Sequence, residues 1–181
     1  ASIRAGLGYR ERKPWLSFRA IKCLNLLVQP DWKLLEFGSG TSTAWFSRRC
    51  GELVSIEDNP VWFSVVEKAL QSQGTCNVDL RLREKDAVHI LDDFSDGYFD
   101  FALIDGVNRA ACMHTALRKV RNRGYVYLDN SDQYANNPEG DTRIAENTLL
   151  SHLEKCGTKP RYFVDFSPGS FFVSEGLLAQ I

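Results

Sequence analysis

The sequence predicts a three-layer α/β fold in which a seven-stranded, mostly parallel sheet ends in a C-terminal antiparallel hairpin. Three observations predict it. A short apolar run breaks at Gly38-Ser39-Gly40 and a helical pattern follows, which is typical of a strand, a turn and a helix. The segment from Tyr98 to Gly106 is almost continuously apolar, as in a strand buried on both faces of a parallel sheet. Ser167-Pro168-Gly169 joins two aromatic strands so tightly that they must be antiparallel, because a parallel return needs a crossover.

The size of the chain indicates one domain. Its 181 residues, 44% of them hydrophobic, can bury one substantial core. We therefore expect a single domain over residues 14–181. Residues 1–13 are rich in Arg and Gly without periodicity, and we interpret them as an arm or lid over the ligand site, with a frayed terminus as the alternative.

Charge, apolar runs and cysteine spacing argue against several classes of partner and site. The 22 basic and 23 acidic residues nearly cancel, so no nucleic-acid partner is expected. No apolar run of about 18 residues predicts a membrane span, and the first residues lack the apolar core of a signal peptide. The five cysteines are scattered and never in C-x-x-C spacing, which argues against zinc or a disulfide framework. We expect a cytoplasmic protein with a small-molecule substrate, and leave a homodimer open.

The elements follow in order from their patterns. Apolar residues at helical spacing between Pro14 and Pro30 predict the first helix, and the strand before Gly38 comes next. A second apolar run, Leu53 to Ile56, predicts the second strand, and the helix that begins at Asn59-Pro60 is expected to turn its apolar stripe to the core. Alternation over Val78 to Leu82 predicts the third strand.

The later elements lead to the same sheet edge. The fourth strand ends at Asp105, and a helical pattern follows it. The fifth strand, Gly124 to Leu128, delivers Asp129 and Asn130 to the edge where Asp105 lies, which is the ligand-binding edge of an α/β sheet. A last helix then precedes the two strands of the hairpin, Arg161 to Phe166 and Ser170 to Val173.

The glycine turn is the centre of the predicted ligand site. Two glycines allow positive φ and close approach to the backbone, while the helix amides from Thr41 onward point at a bound ligand. The second strand ends in the acids Glu57 and Asp58, and an acid at this place can hold ribose hydroxyls.

The segment Glu36-Phe37-Gly38-Ser39-Gly40, with Glu57 one β-α-β unit later, resembles the cofactor site of class I S-adenosylmethionine-dependent methyltransferases, and the order of segments matches to the C-terminus. The resemblance implies a Rossmann-like sheet with S-adenosyl-L-methionine as cofactor. It places Glu36 near the methionine end and Asp86 at the adenine amino group, although Asp86 could also simply cap the short helix that begins at Ala87. The predicted cofactor-binding residues are Glu36, Gly38, Ser39, Gly40, Thr41, Ser42, Glu57, Asp58, Asp86, Ala87 and Asp105.

The predicted catalytic residues are Asp105, Asp129 and Arg109. With Asn130, the two acids resemble the metal ligands of catechol and caffeoyl-CoA type O-methyltransferases, in which a cation such as Mg²⁺ would bind a diol and acidify the attacking hydroxyl. Where those enzymes place a lysine base, this chain has Asn108. The alternative is a site without metal, in which Asp105 is the general base and Arg109 suits an anionic substrate.

We therefore expect O-methylation of a small-molecule or sugar-like hydroxyl. One alternative is an NAD-dependent oxidoreductase or epimerase, since dinucleotide sites also use a glycine turn and a downstream acid, but Thr43 stands where their third glycine would be. The other is a non-catalytic binding domain of the same fold, because a chain of 181 residues has little inserted sequence with which to cover an acceptor.

Overall fold

A computed structural model describes residues 13–83, 89–133 and 136–181. Asp86, Ala87 and all of the predicted arm except Lys13 lie outside the described residues. The helices are α1 Phe18–Leu27, α2 Thr41–Phe46, α3 Pro60–Ser72, α4 Arg109–Lys119 and α5 Asp141–Cys156. The strands are β1 Lys33–Phe37, β2 Glu52–Glu57, β3 Val78–Leu82, β4 Phe99–Ile104, β5 Val120–Asp129, β6 Arg161–Phe166 and β7 Val173–Gln180.

The described strands form one sheet in the order β3-β2-β1-β4-β5-β7-β6. Strands β1 to β5 are parallel, whereas β7 runs antiparallel to β5 and β6 runs antiparallel to β7. This confirms the predicted seven-stranded α/β sheet with its C-terminal antiparallel hairpin. The strand order reverses between β1 and β4, and ligands of open α/β sheets bind outside the carboxyl ends of the strands at such a reversal.

Successive strand residues fill two different cores. In β1, Leu34 packs with α1 and α2 on one face of the sheet, whereas Leu35 packs with α4 and α5 on the other. The same alternation places Phe101 in the first core and Ala102 in the second. Since both faces are covered, the central strands are apolar at nearly every position, as their sequence predicted. Among the described residues, no helix combines the length and the apolar character needed to cross a bilayer.

The predicted core-facing stripe of α3 is only partly correct. Val66 and Leu70 are buried, but Val61, Trp62 and Val65 are 75%, 37% and 48% exposed. The reason is that α3 packs beside β2 and β3, at the margin of the sheet, so that only a narrow strip of the helix is covered.

The bounds of two predicted strands were also wrong. Strand β5 begins at Val120 rather than Gly124, and β7 runs from Val173 to Gln180 rather than from Ser170 to Val173. Glycine is uncommon inside strands, so Gly176 weakened the sequence signal for β7. The structure nevertheless requires glycine at this position. A Cβ at this position would lie 1.8 Å from the hydroxyl of Tyr127.

Candidate active site

The turn after β1 lies against the backbone that follows β4. Gly38 has φ +93°, and a Cβ there would come within 2.6 Å of the Gly106 nitrogen. Its own N–H donates to the Ile56 carbonyl over 2.8 Å, which ties the turn to the end of β2. Residue 38 must therefore be glycine for two reasons, its positive φ and its close approach to the backbone of Gly106.

The Glu57 carboxylate organises this turn. Its Oε2 accepts from the Ser39 N–H over 3.0 Å and from the Ser39 hydroxyl over 2.8 Å. Its Oε1 accepts from the N–H groups of Asp58 and Asn59 over 3.0 and 2.8 Å. Glu57 is 7% exposed and lines the cleft. A hydroxyl of the ligand can therefore reach this carboxylate in competition with the Ser39 hydroxyl.

Glu36 supports the turn from inside the protein. Its Oε2 accepts from the hydroxyls of Thr43 and Ser55 over 2.6 and 2.5 Å, and the Thr43 oxygen in turn accepts from the Gly40 N–H over 2.8 Å. Oε1 is buried without a hydrogen-bond partner among the described residues. Burial raises the pKa of Glu36 to about 7, because the charged form loses its hydration. Thr43, which the sequence marked only as a missing glycine, is thus the link between the buried acid and the turn.

The other predicted cofactor residues divide into two groups. Asp58 lies at the mouth of the cleft, where its carboxylate pairs with Arg83 over 2.6 and 2.9 Å. Thr41 and Ser42 open α2, directly behind the glycine turn, and do not line the cleft. The turn and the end of β2 therefore form the ligand-facing surface, and α2 supports it.

Trp62 is a site residue that the sequence interpretation assigned to the core. Its indole Nε1 donates to the Ser39 carbonyl over 2.9 Å, and the ring lines the cleft. The sequence could have identified Trp62 as a site residue by its position in the first turn of α3, shortly after the acids that end β2. Residues there face the carboxyl edge of the sheet, where ligands bind.

These groups surround one cleft of about 480 Å³, within the size range of small-molecule sites. Its walls come from the ends of β1, β2 and β4 and from the start of α3. The lining residues are Gly38, Ser39, Glu57, Asp58, Asn59, Pro60, Trp62, Asp105, Gly106 and Val107.

Asp105 directly follows β4 and Asp129 ends β5, two neighbouring strands of the sheet. The Asp105 side chain is 28% exposed, whereas Asp129 is 3% exposed. Burial raises the pKa of Asp105 to about 6. Burial and the charge of Asp105 raise the pKa of Asp129 well above its usual range. Of the two acids, Asp129 is therefore the one more easily protonated, and Asp105, which lines the cleft, is the one more easily ionised.

The Arg109 side chain makes its hydrogen bonds within the protein. Its guanidinium donates to the carbonyl oxygens of Gly106 over 2.9 Å, of Asp105 over 3.3 Å and of Asp129, and it lies 3.3 Å from Asp105 Oδ1. Its side chain is only 9% exposed. We therefore assign Arg109 to holding the ends of β4 and β5 together, rather than to binding an anionic substrate.

The arrangement disfavours the predicted metal site, which stays a prediction. Among the described residues no group of three His, Cys, Asp or Glu side chains could hold a metal ion, so a site here would depend on Asn130, which has φ +48°, beside the two acids. Asp129, whose pKa is raised by burial, would have to lose its proton to bind a cation, and the guanidinium of Arg109 lies 3.3 Å from Asp105 Oδ1. A divalent cation here would be repelled by the guanidinium at short range.

Three solved structures illustrate what this chain is similar to. A cofactor-bound protein, Rv0187 from MTB, is 24% identical with a TM-score of 0.72, over 99% of this chain and 89% of that chain. An O-methyltransferase from Bacillus cereus in complex with SAH is 17% identical with a TM-score of 0.73, over 99% and 87%. The O-methyltransferase TomG from Streptomyces achromogenes, in complex with SAM, is 19% identical with a TM-score of 0.67, over 100% and 86%.

No protein-family model and no curated protein sequence matches the chain. At such low identities the likeness concerns the fold. The chain has the fold of S-adenosylmethionine-dependent methyltransferases.

Proposed function

We propose that this protein is an S-adenosylmethionine-dependent methyltransferase that methylates an oxygen atom of a small molecule. One observation carries the proposal. The Ser39-Glu57 pair, suited to a nucleoside, and Asp105, suited to removing a proton, line the same cleft. Donor and acceptor would thus lie next to each other at the carboxyl edge of the sheet.

In this proposal each residue has a limited task. Glu57 and Ser39 hold the ribose hydroxyls, and Trp62 supplies an apolar wall beside them. The cofactor, when bound, supplies the methyl group on a positively charged sulfur. Asp105 accepts the proton of the attacking hydroxyl, while Asp129 donates a hydrogen bond to Asp105 and so orients it. The acceptor is expected to be a small-molecule or sugar-like hydroxyl, and no cation is needed for the proton to leave.

Binding tests the cofactor. Isothermal titration of the protein should show binding of S-adenosylmethionine and S-adenosylhomocysteine but not of NADH. Glu57→Ala should weaken that binding by about 1–3 kcal/mol, because it leaves the turn and the ligand hydroxyls without their acceptor. Ser39→Ala should weaken binding less than Glu57→Ala does, since it removes one hydroxyl of the site and keeps the carboxylate. Binding of NADH alone would overturn the proposal in favour of an oxidoreductase.

Transfer tests the reaction. The protein should pass a labelled methyl group to a hydroxyl compound in a library of diols, catechols, sugars and amines, with and without EDTA. A protein that binds the cofactor yet labels no compound, even with added Mg²⁺, would be a binding domain of this fold. Labelling of amines alone would contradict methylation at oxygen.

A further inference from the structure

Strand β6 is the last strand of the described sheet, and the direction of its backbone groups follows from its neighbour β7. In β7, the Glu175 carbonyl accepts from the Ser131 N–H over 2.9 Å, on the side of β7 that is away from β6. Val164 lies opposite Glu175. Since such a pair exchanges no hydrogen bonds, the N–H and C=O of Val164 point to the open edge of the sheet.

The same direction holds two residues away along the strand. Tyr162 and Phe166 therefore also turn their backbone groups outward. The N–H of Phe166 agrees with this direction, because it donates to the side chain of Asp165 over 2.8 Å. Strand β6 thus offers a row of backbone donors and acceptors at its outer edge.

On one face of this edge strand the exposed side chains are apolar, whereas edge strands usually carry residues that prevent pairing with another chain. Tyr162, Val164 and Phe166 share one face and are 42%, 50% and 48% exposed. Val173, opposite Phe166 on β7, is 47% exposed and extends the same surface. Edge strands that stay unpaired are usually short or carry charged residues, above all lysine, or proline or a bulge. Strand β6 spans Arg161–Phe166 without lysine, proline or a bulge, and its two charged residues, Arg161 and Asp165, lie on the face opposite these apolar side chains.

The charges on the opposite face of β6 are self-complementary. Arg161 and Asp165 flank the buried Phe163 at equal distance along the strand. If a second β6 runs antiparallel with Phe163 facing the partner's Phe163, Arg161 faces the partner's Asp165. In that register Tyr162 faces the partner's Val164, and both residues have the outward backbone groups needed to exchange hydrogen bonds.

We propose that the partner on this edge is a second copy of the same chain, paired antiparallel along β6 about a two-fold axis at Phe163. The sheets of the two copies then continue into one another. The charge order selects this occupant and this register, because a uniformly acidic or basic partner would satisfy only one of the two charges. A shift of the axis to Val164 would remove both Arg161–Asp165 pairs. Such an isologous contact closes after two copies.

Charge reversal tests the register. Sedimentation velocity over a wide range of protein concentration should show a monomer–dimer equilibrium. Arg161→Asp alone, or Asp165→Arg alone, should shift it to monomer because like charges then face each other. The double variant Arg161→Asp/Asp165→Arg should restore the dimer, since the pairs are exchanged. Asp165 Oδ2 also accepts from the Arg19 N–H over 3.2 Å at the start of α1, so circular dichroism must first show that each charge variant keeps its fold.

Val164→Pro tests the strand pairing. It removes an N–H that points away from β7, so the hairpin should keep its fold, as monitored by circular dichroism. The dimer dissociation constant should rise at least about tenfold. The control is Phe171→Ser/Phe172→Ser, which removes the two most exposed apolar side chains of the neighbouring loop and should leave the dimer intact.

Three results would overturn the inference. One is a monomer at every concentration. Another is a dimer that neither the charge reversals nor Val164→Pro weakens. The last is a dimer lost only with Phe171→Ser/Phe172→Ser, which would indicate apolar contact through the loop. If Val164→Pro fails to fold, the rescue by the double charge variant decides.

Discussion

Glu36 is a buried acid, and its surroundings disfavour the charged form of its carboxyl group. One carboxyl oxygen accepts two hydroxyl hydrogen bonds, but the other is buried without a partner among the described residues. Burial raises its pKa from the usual 4.5 to about 7. The folded protein therefore holds this proton more tightly than the unfolded chain does. The stability linked to Glu36 is full below about pH 4.5 and falls as the pH rises to about 7.

Glu36→Gln should remove this pH dependence. The glutamine oxygen can keep the hydrogen bonds from Thr43 and Ser55, and its amide carries no charge to desolvate. Between pH 4.5 and 7 the wild-type protein, free of cofactor, should lose up to about 3 kcal/mol of unfolding free energy relative to the variant. Denaturant unfolding of both proteins at pH 5 and pH 8 measures the difference. Parallel pH profiles would contradict the assignment.

Asp105 should act in its ionised form, and its pKa is raised to about 6 by burial. We expect kcat/KM for methyl transfer to rise with pH and to level off above about 6. Asp105→Asn should lower the rate by about 100-fold or more, because the acceptor hydroxyl loses its base. Steady-state rates from pH 5 to 9 measure both effects.

Asp129→Asn is the matched variant for Asp105. An amide at residue 129 can still donate to Asp105 but cannot bind a cation as a carboxylate does. Most of the activity should therefore remain. If Asp129→Asn were as inactive as Asp105→Asn, and Mg²⁺ activated the wild type, the two acids would be metal ligands and the base would have to be reassigned.

At the scale of elements, Arg109 connects the ends of β4 and β5. The first turn of α4 places its planar guanidinium against carbonyl oxygens from both strand ends. Lysine keeps the charge but not the fork of donors, so it can satisfy fewer of these carbonyls. The relative position of Asp105 and Asp129 should therefore depend on this arginine.

Arg109→Met should lower the free energy of unfolding by about 3 kcal/mol, since it leaves buried carbonyls and a carboxylate without their donor. Arg109→Lys should cost less stability but should still lower the methyl-transfer rate. The control is Arg118→Met on the same helix. That side chain is 55% exposed and pairs with exposed Asp96, so the loss should stay below about 1 kcal/mol. Equal losses for Arg109→Met and Arg118→Met would contradict the role of Arg109.

The elements also show how far the sequence could predict the fold. Strands β1 and β4 were predictable because both of their faces are covered, so that burial itself leaves a continuous apolar signal. The exposed side of α3 was not, because its apolar residues repeat at helical spacing whether or not another element covers them. The extent of β7 was not predictable because Gly176 interrupts its pattern. Glycine is required there because the Tyr127 hydroxyl of β5 occupies the space of a Cβ. Such a long-range contact leaves no local pattern.

The same limit applies to the site. Glu36, the glycine turn and Glu57 follow from local chemistry, and hydrogen bonds connect the two acids to the turn in the structure. The indole of Trp62 was missed because an aromatic residue in a helix has the same pattern in a core and in a cleft. The sequence also could not show that the Arg109 guanidinium donates to backbone carbonyl oxygens, because these oxygens are present in every residue.

At the scale of the whole molecule, the two halves of the sheet have different tasks. In the proposed reaction the ends of β1 and β2 hold the nucleoside, and the end of β4 places Asp105 beside the acceptor. The reversed strand β7 pairs with β5 up to Asp129, so the hairpin supports the acid pair from the opposite side. A ligand that fills the cleft should therefore stabilise both halves together.

Cofactor binding should be visible as a shift of the unfolding temperature. A ligand that binds only the folded state adds about 2.7 kcal/mol at a concentration of 100 times its Kd. For a chain of 181 residues this corresponds to a rise in Tm of about 5–11 °C. Calorimetry with S-adenosylhomocysteine measures it, at one fixed protein concentration so that self-association does not contribute. Glu57→Ala at the same ligand concentration should show a much smaller rise, and NADH should show none. An equal rise with Glu57→Ala would mean that the ligand binds elsewhere, because the loss of this carboxylate should weaken ribose binding in the cleft by about 1–3 kcal/mol.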